Sequence, residues 1–224
     1  MAIKWGYTKK GKMQFQDFVE TIEVDLTKPI EKLKNALDKD ARWGINKAIK
    51  EGLTVKEADE KEVKEFYEIY REMCKRNEIK MHDLNEIILN NPPSYNRKIF
   101  VCKKGNKIIS GVSITENKTN GIISLYVNAS NPEYLKFQPN NLLYWSIIEH
   151  GKRINAKTFD LGGYDATAEK GSKTYEINRF KERWGGKIVK YPVYSNNPFY
   201  ILGRKIIRNS SFLRRLFKKI KQKN

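Results

Sequence analysis

Between Arg97 and Ser130 apolar residues recur at every second position in three successive runs, "RKIFVCKK", "NKIISGVSITEN" and "GIISLYVNAS". Period two puts alternate side chains on opposite faces of an extended chain, so each run reads as a strand. The links between them, Lys104-Gly105-Asn106 and "KTNG", are too short for anything but an antiparallel return. Asn120-Gly121 is a strong hairpin-turn signal, because both residues tolerate positive φ. A three-stranded meander must cover its apolar faces, and the flanking sequence supplies the covers.

Before the meander, Phe18 to Leu26 alternates as a strand, and Thr27 is placed to cap a helix with Pro29 in its first turn and Ile30, Leu33 and Leu37 on one face. A second helix runs from Asp40 to its stop at Gly52, followed by a short strand over Leu53 to Ala58. Asp59 caps a long helix striped by Val63, Phe66, Tyr67, Tyr70 and Met73 or Cys74. Asp83 caps a short helix ended by Pro92-Pro93. After the meander, Pro139-Asn140 opens a helix, "AKTFDLGG" is a buried strand, residues 174–184 are helical and "KIVKYPVYS" is a last strand. The order predicts an α+β fold: a single domain with a mixed, mostly antiparallel central sheet and helices on both faces. That order resembles the core of a GNAT-type N-acyltransferase. The expected division is 1–26 as an N-terminal extension with the first strand, 27–197 as the acyltransferase-like domain, and 198–224 as a basic amphipathic C-terminal helix.

The chain has 224 residues, enough to bury a core, and 39% hydrophobic content excludes an intrinsically disordered polymer. Its formal net charge is +18. Such a field attracts nucleic acid, anionic lipid or phosphorylated substrates; the Lys, Asn and Ile usage of an AT-rich genome accounts for it as well. Cys74 and Cys102 have neither CxxC spacing nor a secretory context and read as small buried hydrophobes in a reducing cytoplasm. His82 and His150 stand outside any ligand cluster, so no metal site is expected. The opening "MAIKWGYTKKGK" lacks a leader's apolar segment and no apolar run reaches ~18 residues, which predicts a soluble cytoplasmic protein with at most a peripheral place at the inner face of the membrane.

Three stretches carry a family resemblance. "ARWGINKAIKEGLTV" (Ala41 to Val55) matches the pattern R-x-x-I-x-K-A-x-x-x-G; "PNNLLYWSIIEHGKRINAKTFDLGG" spans Pro139 to Gly163; and "NRFKERWGG" (Asn178 to Gly186) contains F-K followed by W-G. In order and spacing, over about 150 residues, they resemble the Fem-type (FemABX) aminoacyltransferases of the GNAT superfamily. That resemblance implies transfer of an amino acid from aminoacyl-tRNA to an amine of a cell-wall precursor peptide, lipid-linked or nucleotide-linked, with no cofactor beyond the charged tRNA. The family usually carries two GNAT-like domains and this chain has room for one, so the acceptor side is left open, as is a dimer that supplies the second domain.

The residues can be weighed on their own chemistry. Aminoacyl transfer builds an oxyanion and expels a ribose hydroxyl; a held cation stabilises the first and protonates the second. By resemblance Lys181 takes that role and Phe180 shapes the donor pocket; a solvated lysine beside a core phenylalanine fits the same sequence. Gly162 and Gly163 end a buried strand, where α/β sheets gather ligands and where a bare backbone allows close approach to the donor. Arg42 and Lys47 are candidates for gripping acceptor phosphates, Arg42 as a fork and Lys47 as a point charge, or else plain surface cations. Tyr126 is either a cleft residue facing the acceptor or a core tyrosine. An acetyl-CoA enzyme would show Q/R-x-x-G-x-G/A after the meander; here Gln138 is followed by Pro139, with Asn141 and Leu143 at the glycine positions, which makes CoA the lesser donor.

No acidic residue follows Glu182, and Leu202, Ile206, Leu213, Leu216, Phe217 and Ile220 recur at helical spacing among lysines and arginines. That composition suits an anionic leaflet or a tRNA backbone, or a helix docked on its own domain. The alternatives to a Fem-like enzyme are an N-acyltransferase with an acyl-CoA or acyl-carrier donor and a non-catalytic RNA- or membrane-binding module.

Overall fold

A computed structural model of the chain describes residues 15–88, 95–195 and 197–210. Seven strands are ordered β2-β3-β4-β5-β6-β1-β7 in one sheet. They are β1 (Phe15–Asp25), β2 (Leu53–Glu57), β3 (Tyr95–Lys104), β4 (Lys107–Asn117), β5 (Ile122–Ser130), β6 (Thr158–Tyr164) and β7 (Lys187–Ser195). The helices are α1 (Ile30–Ala36), α2 (Lys39–Lys50), α3 (Glu60–Arg76), α4 (Leu84–Ile88), α5 (Pro139–Arg153), α6 (Lys173–Glu182) and α7 (Pro198–Asn209), with a 3-10 turn over Pro132–Phe137. β5 and β6 run parallel and every other neighbouring pair is antiparallel. The mixed, mostly antiparallel sheet is therefore the one the sequence predicts. β1, the first strand in the chain, lies between β6 and β7, so the start and the end of the described fold are knitted together.

Alternation along β3 sorts the two cores. Phe100 and Cys102 join Leu33 of α1, Ala41, Ile45 and Ala48 of α2, and Leu143, Ile147 and Ile148 of α5 on one face. Ile99 and Val101 join Phe66, Tyr70 and Cys74 of α3 and Ile87 of α4 on the other. Helices thus cover both faces, as period-two strands with two apolar sides require. Both cysteines are buried and unlinked, and burial pushes the Cys102 thiol up to about 12.

Local chemistry sets most boundaries. Asp59 caps α3 by accepting from Glu62 N–H while the Glu62 carboxylate reaches back to Asp59 N–H, a reciprocal pair that satisfies two orphan donors. The expected cap at Thr27 is not formed: its hydroxyl and amide donate to Asp25, and α1 starts after Pro29 without a side-chain cap. α2 begins one residue earlier than read, because Asp38 supplies the cap. The Pro92-Pro93 stop and residues 211–224 lie outside the described residues.

Two buried carboxylates have direct partners. His150 on α5 and Glu116 on β4 meet at 2.6 Å, and Asn96 donates to the second carboxylate oxygen at 3.1 Å. Burial alone would raise the Glu116 pKa; the bonds from His150 and Asn96 reverse that and hold it below the usual carboxylate range. Glu62, buried in the first turn of α3, is likewise opposed by burial and won over by Lys56 and Lys103 at 2.9 and 3.0 Å, which bring it from 4.5 to about 2. A carboxylate depressed in the folded state contributes stability above its unfolded pKa and loses it as the pH falls through the folded one. Glu62→Gln is therefore expected to lower stability at neutral pH and to flatten the acid limb of a thermal-melting profile between pH 4.5 and about 2; an unaltered limb would mean that the pair contributes nothing.

Candidate functional site

β5 and β6 are joined only at Ile122–Ser124 opposite Thr158–Asp160. Beyond that, β5 stays with β4 as far as Ser130 opposite Ser110, and β6 stays with β1 as far as Tyr164 opposite Glu20. The carboxyl halves of two parallel strands therefore part and leave a wedge, the position at which open α/β sheets take ligands. Gly162 lies on its β6 wall with φ +77°, a left-handed turn that favours glycine, 3.8 Å in Cβ terms from both the Leu125 carbonyl and the Lys181 ammonium.

Lys181 reaches this wall from α6. Its Nζ donates to the Gly163 carbonyl at 2.7 Å, and the residue is only 8% exposed. Burial pushes the Lys181 pKa down, against the nearby Asp160 carboxylate, which raises it. Asp160 accepts from the Thr21 hydroxyl and, at 2.8 Å, from Gly162 N–H, so it fixes the glycine turn and faces the lysine at once. A buried amine of lowered pKa, held by a carbonyl and balanced by one carboxylate, gives up its proton more readily than an exposed lysine.

Two ties hold α6 to the end of β6. The Asn178 amide bonds both sides of the Asp165 backbone, Nδ2 to the carbonyl at 2.7 Å and Oδ1 from the N–H at 3.4 Å. The Tyr164 hydroxyl donates to Glu182 at 2.8 Å; that bond, with burial, pushes the phenol up to about 12. Phe180 is half-buried and edge-on to Tyr144 at 5.0 Å, with Trp184 at 6.0 Å, so its ring seats α6 on the core. Tyr144 is buried on α5 and hydrogen-bonded to Asn128 of β5, which links the aromatic cluster to the far wall of the wedge. Past the helix, Gly185 has φ +68°, and a Cβ there would stand 2.8 Å from the Ala36 carbonyl oxygen, so the turn into β7 closes against α1.

The structure brings Lys181, Gly162 and Gly163 together and places Phe180 behind them. Arg42 is engaged elsewhere: its guanidinium donates to Leu37 O at 2.7 Å and Asn35 O at 3.2 Å, closing the C-terminus of α1. Lys47 stands 4.9 Å over the ring of Trp43, an indole 56% exposed. Their helix approaches α6 through Asp40–Arg183 at 3.2 Å and Asp38 N–H to Arg183 O at 2.9 Å. Tyr126 is neither core nor paired across the ladder. It is the extra residue of a bulge, because Ser113 pairs with Val127 and Ile114 with Leu125. It is 40% exposed, beneath the Arg97 guanidinium at 3.8 Å and beside the His82 ring at 5.4 Å.

At the start of α5, Asn140 accepts from the Ser110 and Ser130 hydroxyls at 3.0 and 2.8 Å. Asn141 packs against Gly44 of α2, and Leu143 is fully buried. Among the described residues no group of His, Cys, Asp and Glu could hold a metal ion, and no helix is long and apolar enough to cross a membrane.

Comparison with known proteins agrees with this geometry. Residues 2–85 match the FemAB family. A lipid II:glycine glycyltransferase of Staphylococcus epidermidis is 29% identical over 165 residues, covering 71% of this chain and 36% of its own length. Over these stretches the chain is similar to the Fem-type family. A Staphylococcus haemolyticus protein of the same name is 33% identical over 78 residues, 33% of this chain and 19% of its own. The chain thus spans about a third or less of the curated relatives that it matches. Among solved structures, FemX superposes with a TM-score of 0.67 at 18% identity, over 90% of this chain and 67% of that one. The C-terminal domain of a putative lysylphosphatidylglycerol synthetase from Agrobacterium fabrum gives 0.64 at 16% identity, over 85% and 64%. Both share the fold.

Asp160, Asn178 and Tyr144 were not among the expected site residues. Asn178 had a signal: it opens "NRFKERWGG" three residues before Lys181, on the same helix face. Asn178→Ala removes both bonds to Asp165 and is expected to cost about 1–2 kcal/mol and to speed amide exchange at Asp165. Unchanged exchange at that amide would show that the clamp does not hold the loop.

Proposed function

We propose that the protein is an aminoacyltransferase that moves an amino acid from aminoacyl-tRNA to an amine of a cell-wall precursor peptide. The observation that carries this reading is the buried Lys181 ammonium on the Gly163 carbonyl, inside the wedge where β5 and β6 part. The lipid II:glycine glycyltransferase relatives supply the reaction class. Filling of the would-be CoA-cradle positions by Asn141 and Leu143 favours a donor without a pyrophosphate.

In the reaction a neutral acceptor amine attacks the ester carbonyl carbon of the charged tRNA. A C–N bond forms and the carbonyl oxygen becomes an oxyanion. Lys181, protonated, stabilises that oxygen and gives its proton to the ribose oxygen as the C–O bond breaks. It regains a proton from the ammonium of the adduct, so charge and protons balance over the turnover. Gly162 and Gly163 leave the donor a bare backbone to lie against, and Phe180 keeps the helix of Lys181 in place. Arg42 and Lys47 on α2 are the acceptor-side cations of this reading, with Arg42 needing release from the α1 carbonyls to act. Residues 198–224 give the protein a peripheral contact with an anionic membrane, where a lipid-linked acceptor is found.

The test is a transfer assay with a panel of aminoacyl-tRNAs and nucleotide-linked or lipid-linked precursor peptides. Lys181→Ala is expected to lower turnover about 100-fold or more with the fold intact; wild-type turnover in that variant would remove the lysine from the mechanism. Transfer from acetyl-CoA, with none from tRNA, would replace the donor.

Asp160 raises the Lys181 pKa, so its neutralisation lowers it further. If Lys181 works protonated, Asp160→Asn is expected to move the alkaline fall of the rate profile to lower pH, since Asn keeps an acceptor for Thr21 and Gly162. A profile that does not move would separate the carboxylate from the lysine.

A further inference from the structure

α7 is apolar on two sides. At about 100° per residue, Phe199, Leu202 and Ile206 fall on one face, and Ile201 and Arg204 fall roughly opposite. The second face is docked: Ile201 is buried, and Arg204 donates to Asp17 of β1 at 2.8 Å and to the Phe18 carbonyl at 3.4 Å. Asp17 is itself buried, so the helix is pinned to the sheet by an ion pair whose carboxylate is shielded from water. The first face is bare, with Phe199 81%, Leu202 54% and Ile206 45% exposed. A helix that anchors one face and leaves a phenylalanine and two aliphatic side chains in line on the other presents a surface for something apolar.

Charge selects the occupant. Lys205 is exposed at the flank of the bare face, and no acidic residue follows Glu182 anywhere in the sequence. An RNA backbone would meet the cations and leave the apolar row in water; a protein partner has no reason to demand an acid-free segment of this length. An anionic bilayer takes both, with apolar side chains in the acyl boundary and lysines among the headgroups. We propose that α7 lies in the plane of an anionic lipid surface, with Phe199, Leu202 and Ile206 inserted and the Ile201–Arg204 face holding the domain above it.

This deepens the membrane contact of the proposed function and rests on that reading for its purpose. β1 carries both ends of the arrangement: Asp17 anchors α7, and Thr21, four residues on and about 13 Å along the strand, bonds Asp160 in the site. A lipid-linked acceptor would then be presented to a domain whose site strand is fastened to its membrane helix.

The experiment is co-sedimentation of the full chain with vesicles of phosphatidylcholine containing phosphatidylglycerol, and with phosphatidylcholine alone. The wild type is compared with Phe199→Ser/Leu202→Ser/Ile206→Ser and with Lys205→Glu. The wild type is expected to bind the anionic vesicles at least about tenfold more tightly than the neutral ones, and the triple variant to lose about tenfold or more. Lys205→Glu is expected to weaken binding and its salt dependence while leaving the neutral vesicles unaffected. Melting of the triple variant should match the wild type, since the replaced side chains face outward, and so should its transfer to a soluble nucleotide-linked acceptor. Vesicle binding is scored without any turnover, so failure of the proposed reaction leaves it readable.

Several results would overturn the proposal. Vesicle binding by the triple variant equal to that of the wild type would leave charge alone as the tether. A lower melting temperature with unchanged vesicle binding would mean that the face is covered by the chain itself. A dimer that falls apart in the triple variant would assign the face to a second copy, and a loss confined to tRNA binding would assign it to RNA.

Discussion

Everything at the site depends on where two parallel strands stop pairing. β5 and β6 share three residue pairs, and each then follows a different antiparallel neighbour. Their unpaired backbone would be costly in a closed interior, because a buried amide or carbonyl without a partner loses its hydrogen bond to water and gains none. The chain answers this from outside the sheet. Lys181 takes the Gly163 carbonyl, and Asp160 takes the Gly162 N–H. In the proposed reaction the groups that satisfy the parted strands are also those that act on a carbonyl placed between them, so the structural requirement and the proposed chemistry have one origin.

A lysine in this position has to be buried without being neutralised into uselessness. Burial disfavours its charged form, and one carboxylate at close range opposes that without forming a direct ion pair. The contrast with the other buried charges is instructive. Glu62 has two lysines within 3.0 Å, Glu116 has His150 and Asn96, and Asp17 has Arg204. Those carboxylates are locked by direct partners and stay ionised at neutral pH in the case of Glu62 and Glu116. Lys181 has a neutral carbonyl as its bonded partner and its counter-charge at one remove, which leaves its proton exchangeable.

The meander, the capping box at Asp59 and the burial of the period-two strands were legible because each is local: the residues that decide them are within a few positions of one another. The glycine turn and the F-K pair were singled out by the end of a buried strand and by the family resemblance, and the structure brings Gly162, Gly163 and Lys181 together. What could not be read were pairings across long sequence separations. The ion pair of Arg204 with Asp17, the seat of β1 between β6 and β7, and the contact of Asn128 with Tyr144 leave no periodic trace. Tyr126 was ambiguous between cleft and core because a bulge breaks the alternation on which either reading relied. Arg42 illustrates the reverse problem: a fork of donors matches a phosphate and the open carbonyls of a helix end equally well, and here α1 ends within its reach.

If the proposed acceptor binds on α2, the engagement of Arg42 bears on how it is held. Breaking two charge-assisted bonds to Leu37 and Asn35 exposes the last carbonyls of α1, so a phosphate must offer the guanidinium more than they do. Lys47 stacks on an indole that is half in water, and its ammonium can turn to a ligand at little cost. An acceptor that met α2 first through Lys47 and Trp43, and drew Arg42 away only when fully seated, would loosen the end of α1. That end is braced by Gly185 and tied to α6 through Arg183 and Asp40. Because α6 carries Lys181, the acceptor side and the proton donor of the proposed reaction would be joined by contacts that the fold already makes.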